Sequence, residues 1–142
     1  LVEIGGEVLA RGEKMSGMPW TIAVESPVAG RRQPFMVVAL RDMAMATSGD
    51  YRNFFEADGT IYSHTIDTRT GRPVTHTLAS VTVVDELASR ADALATALLV
   101  MGPEEGMAFA EREQLAVLML IRTNGGIEER QTAAFATLRD IT

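Results

Sequence analysis

The chain has 142 residues, the size of one ordinary domain, and can bury roughly two-thirds of the surface its unfolded form exposes without a disulfide or a structural metal. With 46% hydrophobic and 23% charged residues, and no unbroken apolar run of about 18 residues, it reads as globular with no membrane-spanning helix. The net charge of −6, from 19 acidic against 13 basic residues, argues against a broad nucleic-acid surface, and zero cysteines exclude disulfides, thiolate metal sites and a cysteine nucleophile. Two imidazoles, His64 and His76, and one lysine, Lys14, remain for chemistry.

The first third is β-rich in pattern. Residues 1–10 carry apolar side chains on either side of Gly5-Gly6, where the lack of Cβ suits a bulge or a close backbone approach. Residues 20–25 alternate before a Ser26-Pro27 break, and 35–40 form a short apolar run with Val37-Val38, so both read as strands joined by the charged connector 29–34. From Met43 the chain passes from small apolar residues into Thr47-Ser48-Gly49-Asp50, which has turn chemistry. Asp58-Gly59 signals a hairpin with 60–66 as its return strand.

The run 67–73, with Gly71 and Pro73 among capping side chains, predicts a tight ordered loop, and the β-branched run 78–84 a buried strand. Leu94, Leu98 and Met101 then recur at helical spacing over 91–101. Gly102 stops that helix, and Pro103-Glu104-Glu105 opens a second running to about 113. A last apolar strand at 116–121 and a turn at Thr123-Asn124-Gly125-Gly126 follow, while 128–142 has no single reading. Strands, then two helices, then strands make an α+β layer fold. The chain opens at Leu1, with no initiator methionine, directly in a strand-like segment, and so is expected to be the C-terminal part of a longer protein.

Two constellations carry candidate chemistry. His64, near Asp67, can act as a general base around neutral pH, or can be a structural histidine packed under a turn that Asp67 caps. Asp92 and Thr96, four residues apart, lie about 40° apart around a helix, so a carboxylate and a hydroxyl converge as hard oxygen ligands of the kind Mg²⁺ takes. Equally, Ser89 or Asp92 can be an N-cap, and Thr96 can bond back to the carbonyl four residues earlier. The polar glycine segments at 5–7 and 48–52 match neither standard nucleotide-binding fingerprint, and the chain holds no H-x-x-x-H pair or G-x-S-x-G elbow.

Five blocks, Leu-Val-Glu-Ile-Gly-Gly-Glu-Val (1–8), Thr-Ser-Gly-Asp-Tyr-Arg-Asn-Phe (47–54), Tyr-Ser-His-Thr-Ile-Asp-Thr-Arg-Thr-Gly-Arg-Pro-Val (62–74), Ala-Ser-Val-Thr-Val-Val (79–84) and Ala-Asp-Ala-Leu-Ala-Thr-Ala-Leu (91–98), resemble in order and spacing the ApbE family of FAD:protein FMN transferases, formerly described as thiamine biosynthesis lipoproteins. The resemblance implies a mixed, mainly antiparallel sheet packed with two helices, T-fold-related. It implies that FAD is cleaved, FMN joined through a phosphoester to a threonine of an acceptor protein, and AMP released, or else that FAD is hydrolysed to FMN and AMP.

By the same resemblance His64 would be the catalytic base, and Asp92 and Thr96 Mg²⁺ ligands with the Ala95 carbonyl as a further one. Ser63, His64, Ser48, Gly49 and Asp50 would lie near the FAD or brace the site. The chain would be the C-terminal catalytic and metal-binding portion, without the N-terminal half that completes the flavin pocket. The isolated chain would then have little or no activity, serving as an inert nucleotide-binding or structural piece, and its unfinished pocket would favour self-association. The family setting implies a bacterial lipoprotein on the periplasmic side of the envelope, although no export signal is visible in these residues. Thr65 and Thr68 stand where the family usually has Ile and Pro, a change that loosens the turn without removing the proposed chemistry.

Overall fold

The computed structural model describes residues 1–28, 33–50, 54–57 and 60–139, with the backbone alone for 16, 54–57 and 60–63. In chain order the elements are β1 (Val2–Ile4), β2 (Glu7–Leu9), a 3₁₀ turn (Met15–Gly17), β3 (Trp20–Glu25), β4 (Pro34–Leu40), β5 (Ala44–Gly49), β6 (Phe54–Ala57), β7 (Thr60–Ser63), β8 (Ile66–Asp67), β9 (Arg72–Pro73), β10 (Leu78–Asp85), α1 (Ala88–Met101), α2 (Pro103–Arg112), β11 (Ala116–Thr123), β12 (Gly126–Gln131) and α3 (Ala133–Ala136). Six strands form one sheet in the order β1-β2-β5-β10-β11-β12, every neighbouring pair antiparallel. The α+β class read from the sequence is thus the one observed.

Side-chain alternation on β10 and β11 divides the core in two. Val81, Val83, Val117 and Met119 face α1 and α2, packing against Ala91, Ala95, Leu98 and Ala110. Val84, Leu118 and Leu120 face the other way, toward Val24 and Val38 of the β3–β4 hairpin and Phe135 of α3. A short layer thus closes each face. Gly102, at φ +83, lets α2 start one residue after α1 ends, with Pro103 at its first position.

Several local expectations are corrected. Gly5-Gly6 is not a bulge: both residues have positive φ and form the two-residue turn of the β1–β2 hairpin, which pairs Ile4 with Glu7. Thr47, Ser48 and Gly49 are not a turn but the end of β5. Their register partners on β10 are Thr82, Val81 and Ser80, and the Thr47 and Thr82 hydroxyls sit 2.8 Å apart. Tertiary pairing there overrides the local preference of Ser, Thr and Gly for turns.

The return strand ends at Ser63, short of Ile66, because His64 bends the chain; Thr65 is buried and Ile66 exposed. β6 and β7 pair as a hairpin, with the Asp58-Gly59 turn outside the described residues, as are Tyr51, Arg52 and positions 29–32 of the first connector. α1 starts at Ala88, with Leu87 at its N-cap position, so neither Ser89 nor Asp92 caps it. The undecided C-terminal run resolves into β12 and α3. Thr132 caps α3 by accepting the Phe135 N–H and donates to the Leu115 carbonyl at 2.7 Å.

The loop at 67–71 is as tight as its composition predicts. The Asp67 carboxylate accepts the Arg69 backbone N–H at 2.9 Å and its guanidinium at 3.1 Å, while the Asp67 carbonyl accepts from Thr70 and Gly71. Arg69 reaches on to Glu105 of α2 at 3.0 Å, tying the loop to the helical layer.

Two outcomes follow. Phe135→Ala removes a fully buried ring from the β-hairpin face and should cost about 3–5 kcal/mol in urea unfolding; a loss under 1 kcal/mol would mean α3 does not close that face. Hydrogen bonds from the Arg69 side chain, then from its backbone N–H, hold the Asp67 carboxyl below the usual carboxylate range. A depressed carboxylate stabilises fully above its unfolded pKa and loses that contribution as pH falls through the folded value. Carbon-13 titration should therefore show Asp67 protonating at a lower pH in the unmodified protein than in Arg69→Gln; the same midpoint in both would contradict the geometry.

Candidate functional site

A cleft of about 640 Å³, within the usual size of ligand pockets, opens where the β1–β2 turn, the end of β5, the bend after β7 and the exposed flank of α1 meet. Val8, Ile22, Val24 and Met45 give it an apolar floor. Its polar wall is Thr47, Ser48, Gly49, His64, Asp92 and Thr96.

Each element reaches this wall for a local reason. Ala91 and Ala95 are fully buried against the sheet, and their small side chains let α1 approach closely. Asp92 and Thr96 each follow one of these alanines by one position, so both stand on the exposed rim of the helix beside the cleft. On the sheet side, Ser48 pairs in register with Val81, which places its side chain on the face covered by α1. The Ser48 and Thr96 hydroxyl oxygens meet at 2.7 Å, joining strand to helix. His64 is exposed at the bend and lines the same cleft, not packed beneath the 67–71 turn.

Of the residues singled out from the sequence, His64, Ser48, Gly49, Asp92 and Thr96 therefore come together. Ser63 is the last residue of β7, immediately before His64. Asp50 and Ala95 sit differently. The Asp50 carboxylate is held by both terminal nitrogens of Arg122 on β11, at 2.6 and 2.7 Å, and its N–H donates to the Ala79 carbonyl. This two-pronged charged contact braces the end of β5 just past Ser48 and Gly49. Ala95 lies within α1 with its methyl in the core. Asp67 serves its own turn and Arg69.

Sequence reasoning missed the Arg122 brace, because no local pattern relates residues on strands β5 and β11. It also missed the contribution of β3, whose alternation marks Ile22 and Val24 as one face without saying what that face meets.

Four of the lining residues, Glu3, Glu7, Glu25 and Asp92, carry carboxylates. An anionic ligand entering here would meet like charge unless a cation came with it. Among the described residues no group of three or more His, Asp or Glu is placed to hold a metal by itself. One carboxylate (Asp92) and a neighbouring hydroxyl oxygen (Thr96) do suit Mg²⁺, which keeps several waters and commonly completes its shell with substrate phosphates.

Comparison with known proteins agrees with the five sequence blocks. The family model for the ApbE family matches residues 1–119. The chain is 49% identical over 135 residues to the FAD:protein FMN transferase of Vibrio cholerae, covering 95% of this chain and 40% of that protein. It is 43% identical over 141 residues to that of Haemophilus influenzae, covering 99% and 41%. The crystal structure of the Pseudomonas stutzeri flavinyl transferase ApbE in its apo form superposes with a TM-score of 0.81 at 48% identity, over 96% of this chain and 42% of that one. The flavin transferase ApbE from Vibrio cholerae gives 0.83 at 45% identity. The chain thus spans about 40% of the length of the curated relatives it matches. With the family model matching most of its length and its fold shared with solved members, this chain belongs to the ApbE family.

Proposed function

We propose that this chain supplies the catalytic base and part of the metal site of a Mg²⁺-dependent transferase that moves FMN from FAD to a threonine of an acceptor protein. The observation that carries the reading is the convergence of His64, from the bend after β7, with Asp92 and Thr96 of α1 on one cleft. Its relatives are named FAD:protein FMN transferases, which supports flavin transfer to protein as the reaction class.

The acceptor hydroxyl oxygen attacks the phosphorus on the FMN side of the FAD diphosphate, the bond from that phosphorus to the bridging oxygen breaks, and AMP departs with the bridging oxygen. His64 takes the hydroxyl proton as the new phosphoester forms, since a neutral imidazole is basic enough near pH 7. Asp92 and Thr96 would hold Mg²⁺, which when bound supplies the positive charge that a diphosphate needs in this carboxylate-lined cleft. Ser48 and the Arg122–Asp50 brace keep the β5 wall in place. The apolar floor of Val8, Ile22, Val24 and Met45 suits a flat aromatic ring system.

The test uses the natural protein that contains this chain, incubated with FAD, Mg²⁺ and an acceptor bearing a target threonine. Covalent flavin on the acceptor and stoichiometric AMP are expected. His64→Ala should lower kcat about 10²- to 10⁴-fold, the usual contribution of a positioned base, and Asp92→Asn should abolish Mg²⁺-dependent turnover. Free FMN formed at the same rate without any acceptor would replace transfer with hydrolysis; full activity in both variants would remove these residues from the site.

A further inference from the structure

Thr96 and Ser48 link the helix and the strand that frame the cleft, at an oxygen-to-oxygen distance of 2.7 Å. From this contact we infer that Ser48 is a positioning residue: it orients the Thr96 hydroxyl so that its lone pairs face the cleft. The inference rests on the metal reading above and adds to it the group that prepares a ligand for its cation.

A threonine inside a helix normally donates its hydroxyl hydrogen to the carbonyl four residues earlier, here that of Asp92, which turns the oxygen back along its own helix. Such a threonine presents itself poorly to anything beside the helix. Ser48 offers a competing acceptor across the gap to β5. When Thr96 donates to Ser48, its hydrogen points at the strand and both of its lone pairs are left for the cleft, the arrangement an oxygen ligand to a hard cation requires. The opposite polarity, Ser48 donating to Thr96, spends one of those lone pairs, so a cation selects the first.

Ser48 is suited to the role because its own position is over-determined. The N–H of Asp50 donates to the Ala79 carbonyl, which sets the alternation of the β5–β10 ladder and ties Ser48, two residues earlier, to β10 through its backbone. Its side chain, on the α1 side of the sheet, has Thr96 as its partner, and just beyond it the strand is clamped by the Arg122–Asp50 pair. A hydroxyl on a rigid strand holding a hydroxyl on a rigid helix is how an outer partner orients a metal ligand, and losing such a partner commonly costs 10- to 100-fold in metal affinity.

Mn²⁺ as a paramagnetic stand-in for Mg²⁺ tests this by binding alone. The natural protein that contains this chain is saturated with FAD, Mn²⁺ is titrated in, and free Mn²⁺ is followed by electron paramagnetic resonance; thermal unfolding is recorded for every variant. Ser48→Ala should weaken Mn²⁺ binding about 10- to 100-fold at a nearly unchanged Tm, Ser48→Thr should restore it, and Asp92→Asn should abolish it. Wild-type binding in Ser48→Ala, with Asp92→Asn still abolishing it, would overturn the role of Ser48 and leave the metal site standing. Equal weakening in Ser48→Ala and Ser48→Thr would overturn it as well, since packing and not the hydroxyl would then matter. Unchanged binding in Asp92→Asn would remove the metal site itself, and the inference with it.

Discussion

β10 has seven of its eight residues buried, so its two faces are covered and its backbone groups have no access to water. Every N–H and C=O along it must therefore be met by a neighbouring strand. β5 and β11 do this on either side over nearly its full length, leaving little freedom in the register of either one. A slip of one residue in β5 would turn Ser48 away from α1 and carry Thr47 into its place. The cleft consequently inherits its geometry from a strand that contributes no side chain to it.

The helix side obeys a matching constraint. α1 is seated by two alanines and two leucines, Ala91, Ala95, Leu98 and Leu99, all buried. Alanine at the two positions nearest the cleft brings the helix axis close to the sheet, and that closeness is what allows the Thr96 hydroxyl to reach a serine on β5. A larger residue at 95 would lift the helix and lengthen the contact between Ser48 and Thr96. The burial of Ala95 and the exposure of Thr96 are thus two consequences of one packing arrangement.

The distribution of charge separates structure from site. Arginines pair with carboxylates away from the cleft: Arg69 with Asp67 and Glu105, Arg122 with Asp50, Arg130 with Glu104 and Glu128, Arg139 with Glu129. The exposed ones, such as Arg130 with Glu104, each contribute little to stability. Their larger effect is to neutralise those acids, while the cleft wall carries the carboxylates of Glu3, Glu7 and Asp92 beside Glu25. A ligand rich in phosphate is compatible with such a wall when a divalent cation accompanies it, and the hard oxygens of Asp92 and Thr96 are the groups that suit one.

What the sequence made legible follows the range of the interactions involved. The β-branched run of β10, the helical spacing of Leu94, Leu98 and Met101, and the Gly102-Pro103 boundary are local signals, and they gave those elements to within a few residues. Thr47-Ser48-Gly49 has the local chemistry of a turn, but that preference is outvoted by pairing with β10, more than thirty positions away. The Arg122–Asp50 brace and the contact of Ser48 with Thr96 have no local signature at all. The five blocks that resemble the family succeed where propensity fails because four of them build the cleft wall and the fifth, at 79–84, is the buried strand that sets their register. Their spacing records a three-dimensional arrangement that periodicity cannot express: the blocks are far apart in the chain because a strand, a bend and a helix must each be reached separately before their hydroxyls, imidazole and carboxylate can face one another.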